Sequence, residues 1–229
     1  MCQLLVGILS LRVRGAPALG AAGAYGIALA ADLCPAGSAP EVMADLEVAA
    51  EMIRGARPTA VNLSWGVDRA LAAAARASAG TAEDVREAAL AEAEAIAEED
   101  IAVNRALGRI GAKLLDDGDT VLTHCNAGRL ACVGWGTALG VVRSAVAAGK
   151  QISVYACETR PLHQGSRLTA WELSEDKISV TLICDSMSGS LMRKGRIDKV
   201  IVGADRITRD AVFNKIGTYS HAVLARHHR

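Results

Sequence analysis

The chain has 229 residues, enough for one large domain or a small one beside a medium one; 51% of them are hydrophobic but only 3% aromatic. Its core must therefore be built from Ala, Val, Leu and Ile. Lys plus Arg and Asp plus Glu both number 25, and this zero net charge excludes a strong non-specific hold on nucleic acid while leaving room for a small anion held by a few arginines.

The opening "MCQLLVGILSLRVRGAP" has an apolar run but no basic n-region and no small-residue cleavage site. It is too short to span a membrane, so a soluble, cytoplasmic protein without membrane contacts is expected. Up to about residue 112 alanine-rich segments dominate, among them "GAPALGAAGAYGIALAAD", "APEVMADLEVAAEMIR" and "VDRALAAAARASAG". They predict tightly packed helices. Thr81 followed three residues on by Asp84 approximates a capping box. After it Val85, Ala89, Ala93, Ile96 and Ala97 recur at helical spacing. The many glutamates of that helix are expected to form a solvated face. Residues 1–112 thus predict a mainly helical N-terminal domain.

From 113 to 229 the texture changes. The β-branched runs "TVLTHC", "QISVYACET", "VTLICD" and "KVIVGADRI" alternate with helical segments such as "GWGTALGVVRSAVAAGK" and "RLTAWELSEDK". Strands alternating with helices predict an α/β domain, Rossmann-like, with a parallel sheet buried on both faces.

In such sheets ligands collect beyond the carboxyl ends of the strands. The expected strands end in His124-Cys125-Asn126, Glu158-Thr159-Arg160, Asp185-Ser186 and Asp205-Arg206. Four polar ends on one rim predict a ligand cleft. Cys125 is expected where a Gly-containing turn opens the next helix, a place that lowers thiol pKa values. Asp205 is expected as a strand-end carboxylate, suited either to capping a helix or to acid–base work opposite Cys125.

The six cysteines form no CxxC pair and no zinc-type spacing with histidines. Apart from Cys125 they are expected as buried, reduced thiols. His124, His163 and His221 are too scattered to predict a metal, and Trp65, Trp135 and Trp171 are expected as packing residues. Arg14 with Gly15, Arg57, Arg160, Gln164, Arg167, Asn214 and Lys215 lie near Gly-containing turns and together suggest a phosphorylated small molecule. Neither a Walker A sequence nor a GxGxxG after a strand occurs, which disfavours nucleotide binding.

The motifs "VRGAPALGAAGAYGIALA", "RPTAVNLSWGVDR", "LTHCNAGRLACVGWGTALGVVR", "ETRPLHQGSRLTAWEL", "DSMSGSLM", "VIVGADRI" and "NKIGTY" together resemble the methylthioribose-1-phosphate isomerase family. That family is related to regulatory subunits of a translation-initiation exchange factor. The resemblance implies isomerisation of 5-methylthioribose 1-phosphate to 5-methylthioribulose 1-phosphate in methionine salvage, without metal or organic cofactor, by a homodimer. It implies Cys125 and Asp205 as the catalytic pair, Asp205 giving a proton and Cys125 serving as base or transition-state stabiliser. Proton and hydride routes between C1 and C2 both stay open. The implied substrate contacts are Arg14, Gly15, Ala16, Arg57, Gln164, Asn214 and Lys215. The family pattern continues beyond "LARHHR" and has a longer lead before the RGAP motif, so the resemblance implies a chain shortened at both ends. Related alternatives are a ribose-1,5-bisphosphate isomerase and a non-catalytic regulatory subunit.

Overall fold

The computed structural model describes residues 1–228, which divide into two compact units. The first comprises Met1–Ala102 with Ala131–Val133; the second comprises Val103–Leu130 and the chain from Gly134 onward.

The first unit is helical: α1 (Cys2–Leu9), α2 (Ala16–Leu33), α3 (Ala39–Ala56), α4 (Val61–Ala77) and the N-terminal part of α5 (Ala82–Gly111). Pro17 and Pro40 stand in the first turns of α2 and α3, where a missing N–H costs nothing. Small residues let the helices approach closely. A Cβ on Gly66 of α4 would lie 1.9 Å from the carbonyl oxygen of Gly20 on α2, so the two backbones touch there. Ile8, Leu19, Ile27, Leu46, Ile53, Leu63 and Val85 fill the core around that contact. By length and apolar composition α2 could cross a bilayer, but half of it is buried inside this unit, as befits a core helix.

The capping box at the start of α5 forms as expected. Thr81 N–H donates to Asp84 Oδ2 at 2.7 Å, and Asp84 N–H donates back to Thr81 Oγ1 at 3.2 Å. These bonds, the backbone one foremost, hold the Asp84 carboxyl below its ordinary pKa. The glutamates of α5 are not simply a solvated face. Arg69 on α4 donates to Glu92 at 2.7 Å and to both carboxylate oxygens of Glu99 at 2.6 and 3.1 Å. These bonds strap α4 to α5.

The second unit carries a four-stranded parallel sheet in the order β3-β2-β1-β4. Its strands are β1 (Thr120–Thr123), β2 (Ser153–Cys157), β3 (Ser179–Ile183) and β4 (Lys199–Val200). Helices α6 (Ala138–Ala147), α7 (Ala170–Glu175), α8 (Ser188–Arg193) and α9 (Thr218–His227) accompany them. Successive residues of β1 feed opposite cores, as the strand's period of two requires. Val121 packs with Leu139, Val142, Val154 and Leu173, whereas Leu122 packs with Cys157, Ile183 and Met192. The central strand is thus buried from both sides.

The fourth strand is shorter than "KVIVGADRI" predicts. Pairing ends at Val200, and Ile201 adds one more bond, its N–H donating to Leu122 O at 3.0 Å. The chain then leaves the sheet and forms a small antiparallel hairpin, β5 (Arg206–Ile207) against β6 (Val212–Phe213). Among the described residues strand β4 lies at the sheet edge, bonded on one side only.

Candidate functional site

The sheet order fixes where a ligand can enter. From β1 the chain winds through β2 to β3 on one side, then crosses to β4 on the other side of β1. The carboxyl ends of β1 and β4 therefore flank a topological switch point, the place where open α/β sheets form a crevice. Cys125 lies two residues past β1, and Asp205 lies five residues past β4.

Cys125 is half-buried and stands in the left-handed backbone region at φ 67°. Two threonines grip its backbone. Its N–H donates to Thr159 Oγ1 at 2.8 Å, and its carbonyl accepts from Thr169 Oγ1 at 2.6 Å. Thr159 Oγ1 in turn donates to Cys157 O at 3.1 Å, which locks the end of β1 to the end of β2. The expected helix start at Cys125 is not there: a loop with one 3-10 turn at Arg129–Ala131 follows, and α6 begins only at Ala138. The helix-dipole argument for this thiol therefore falls.

A buried carboxylate explains why this stretch is loop rather than helix. Glu172 on α7 is fully buried and accepts from Asn126 Nδ2 (3.0 Å), Arg129 N–H (2.9 Å), Leu130 N–H (3.2 Å) and Arg143 Nη2 (2.7 Å). Backbone groups that would have bonded within a helix bond instead to this side chain. Arg143, itself buried, also donates from Nη1 to Trp135 O at 2.7 Å and from Nε to Asp176 at 2.6 Å. Gly128 is required, because a Cβ there would meet the Glu172 carboxylate within 2.2 Å. Sequence reasoning missed Glu172; its only signal was a carboxylate between Trp171 and Leu173.

Asp205 is exposed and lies between β4 and the β5–β6 hairpin, its N–H donating to Phe213 O at 2.8 Å. It is neither a strand end nor a helix cap, which corrects the expectation on both counts. The same hairpin leads into Asn214 and Lys215. Asn214 Nδ2 donates to Thr218 Oγ1 at 3.0 Å, and Lys215 O accepts the N–H of Thr218 at 3.1 Å. Gln164 is buried just ahead of a π-turn at Gly165–Thr169, which runs into α7. Cys125, Gln164, Asp205, Asn214 and Lys215 thus belong to the sheet unit.

Arg14, Gly15, Ala16 and Arg57 belong to the helical unit. Arg57 Nη1 reaches the carbonyl of Arg14 at 3.5 Å, so the two arginine-bearing turns meet. At Gly15 the space of a Cβ is taken by the Ala131 backbone, whose carbonyl oxygen would lie 2.0 Å away. The missing side chain there admits protein backbone rather than a ligand. Arg160 N–H and Thr159 N–H both donate to the Asp185 carboxylate, at 2.7 and 2.8 Å, and tie the ends of β2 and β3.

Two of the three histidines whose spacing in the sequence predicts no metal are neighbours. His124 and His221, both buried, have Nδ1 and Nε2 3.2 Å apart, with Cys157 Sγ 3.7 Å from His221 Nε2. Burial, with the negative charges of Asp185 and Glu158, pushes the Cys157 thiol up to about 12. Burial and then His124 lower the pKa of His221, against the opposing pull of Asp185. His163 lies elsewhere, beside Glu158 and Arg160. Of the cysteines expected to be buried, Cys34, Cys132 and Cys157 are, but Cys2 and Cys184 are exposed. Trp65 and Trp171 are also largely exposed, and Arg69 sits over the Trp65 ring at 5.1 Å.

A helical unit followed by a parallel sheet, with a gripped cysteine beside its switch point, defines an α/β protein of Rossmann-like architecture. The chain belongs to the Initiation factor 2 subunit family, whose model matches residues 12–229. It is 57% identical over 222 residues to a methylthioribose-1-phosphate isomerase of Syntrophotalea carbinolica, covering 96% of this chain and 64% of that protein. Among solved structures, 5-methylthioribose 1-phosphate isomerase from Pyrococcus horikoshii OT3 superposes with a TM-score of 0.94 at 42% identity, over 99% of this chain and 64% of that one. A structure from A. fulgidus described as translation initiation factor eIF-2B, subunit delta, gives 0.91 at 63% identity, over 99% and 66%. The chain spans 65% and 66% of the length of two further curated relatives.

Proposed function

We propose that this protein is an aldose–ketose isomerase that converts 5-methylthioribose 1-phosphate to 5-methylthioribulose 1-phosphate in methionine salvage. The observation that carries it is the switch point, with the Cys125 loop on one side and the Asp205 segment on the other. The names of the Syntrophotalea and Pyrococcus relatives supply the substrate.

The phosphate on the anomeric oxygen blocks spontaneous ring opening, so the enzyme must supply the proton that frees the ring oxygen. Asp205 gives that proton as the bond from C1 to the ring oxygen breaks. The hydrogen on C2 moves to C1, either as a proton relayed by Cys125 or as a hydride, and the C2 hydroxyl proton returns to Asp205 as the ketone forms. Atoms balance without an external oxidant. Gln164, Asn214 and Lys215 of the sheet unit hold the phosphate and the sugar hydroxyls. The protein acts as a cytoplasmic homodimer.

The test is direct incubation of the purified protein with 5-methylthioribose 1-phosphate, following ketose formation, with ribose 1,5-bisphosphate as the competing substrate. Turnover of the first sugar, abolished in Cys125→Ser and Asp205→Asn with folding intact, is expected. Preference for the bisphosphate reassigns the substrate. No turnover of either overturns the enzyme proposal and favours a non-catalytic regulatory subunit, the similar A. fulgidus structure being described as translation initiation factor eIF-2B, subunit delta.

A further inference from the structure

Beneath the rim, the side chains of His124, Cys157 and His221 form a cluster that the isomerase chemistry does not use. All three are buried, and one donor atom from each lies within 4.8 Å of the others. His124 Nε2 is 2.7 Å from the carbonyl oxygen of Ile216. A carbonyl only accepts, so this nitrogen carries the hydrogen and Nδ1 presents a lone pair. Ser188 Oγ lies 3.1 Å from His221 Nδ1 and 3.2 Å from Asp185 O. In the tautomer that carries its hydrogen on Nδ1, His221 donates to this oxygen and turns the lone pair of Nε2 inward. That nitrogen is 3.2 Å from His124 Nδ1 and 3.7 Å from Cys157 Sγ. Three potential ligand atoms converge inside the protein.

We propose that His124 Nδ1, His221 Nε2 and Cys157 Sγ bind a divalent cation of the zinc class. Zinc bonds to nitrogen at about 2.0–2.1 Å and to sulfur at about 2.3 Å, so tetrahedral ligand-to-ligand edges are roughly 3.3–3.6 Å. Two of the separations, 3.2 and 3.7 Å, match that scale, and the third lies within 4.8 Å. Each imidazole already has the outer hydrogen bond that metal-bound histidines use to fix their tautomer: Ile216 O for one, Ser188 Oγ for the other. Water takes the fourth position. As the metal–sulfur bond forms, the Cys157 S–H proton leaves to solvent, and the thiolate cancels half of the charge of the cation. The ion joins the ends of β1 and β2 to α9, as a structural clip below Cys125. The Gly217 backbone lies against the His124 ring, and Ile216 beside it is exposed.

The test is independent of activity. Chelator-stripped, reduced protein is titrated with Co²⁺ and, separately, with Zn²⁺ in a thermal melt. One equivalent of Co²⁺ is expected, with a thiolate-to-cobalt charge-transfer band and the intense visible bands of four-coordinate cobalt; zinc raises the melting temperature. Cys157→Ser removes the charge-transfer band, and Cys125→Ser keeps it. Ser188→Ala, which loses only the outer hydrogen bond, weakens binding about 10- to 100-fold. X-ray absorption on the zinc-loaded wild-type protein keeps the proposal open to refutation even if a variant fails to fold. One sulfur and two imidazoles support the site; any other ligand set, no uptake of either ion, or a cobalt spectrum indifferent to Cys157→Ser overturns it.

Discussion

Replacing Glu172 by alanine tests how the Cys125 loop is held. The carboxylate is fully buried and takes four hydrogen bonds, from Asn126, Arg129, Leu130 and Arg143. Alanine takes the Glu172 acceptor from two backbone N–H groups, leaves the Asn126 amide only Thr169 Oγ1 at 3.2 Å, and removes half of a buried ion pair. Breaking a buried pair from one side costs about 3–5 kcal/mol. Arg143 keeps Asp176 and Trp135 O, which places the loss near the lower end of that range. For a chain of this size each kcal/mol lowers the melting temperature by roughly 2–4 °C. The expected fall is therefore roughly 6–12 °C. Glu172→Gln preserves volume and one acceptor oxygen, and should lose about 1.5–3 kcal/mol, the usual worth of a bond to a charged group. Because the chain has two units, thermal melts are paired with amide hydrogen exchange, which should rise at Arg129 and Leu130 before the sheet opens. If both variants melt within about 1 kcal/mol of wild type and exchange at those amides is unchanged, the loop is not held by Glu172.

Three further outcomes follow from the same geometry. Gly66→Ala puts a Cβ against the Gly20 carbonyl and should cost about 1–3 kcal/mol in urea melts, with no change in net charge. Thr159→Val removes the hydroxyl that accepts the Cys125 N–H; stability should fall by about 1–3 kcal/mol, and turnover in the proposed isomerase assay should drop with little change in KM. Asp84, held below its ordinary value of 3.8, stabilises the start of α5 above that value and loses this as pH falls through the lowered folded pKa. Amide exchange at Thr81 should accelerate in acid for wild type and be pH-insensitive beyond the intrinsic rate in Asp84→Asn.

Local features of the fold were legible in the sequence, because their signals lie within a few residues. The Thr81–Asp84 box, the small residues of α2 and α4, and strands β1 to β3 all follow from spacing and residue type. What was not legible depends on partners far along the chain. His124 and His221 are 97 residues apart, and nothing in either neighbourhood announces the other. Glu172 reads as an ordinary helix glutamate until the loop after Cys125 folds over it. The expected helix start at Cys125 failed for the same reason, since a remote carboxylate outcompetes the helix for Arg129 and Leu130 N–H. The shortened β4 reflects position: a hydrophobic run at a sheet edge has a partner on one side only. For Asp205, a position a few residues past β4 was readable, but its place ahead of a hairpin was not.

The left-handed backbone at Cys125 has a consequence for evolution in the laboratory. A side chain at φ 67° is held in a conformation that glycine would adopt without penalty, at a cost of roughly 1–3 kcal/mol for any other residue. Cys125→Gly should therefore make the protein sturdier while deleting its proposed chemistry. A selection for heat resistance alone would drift toward that change, and a library screened without an activity filter would enrich the very sequence that has lost its purpose.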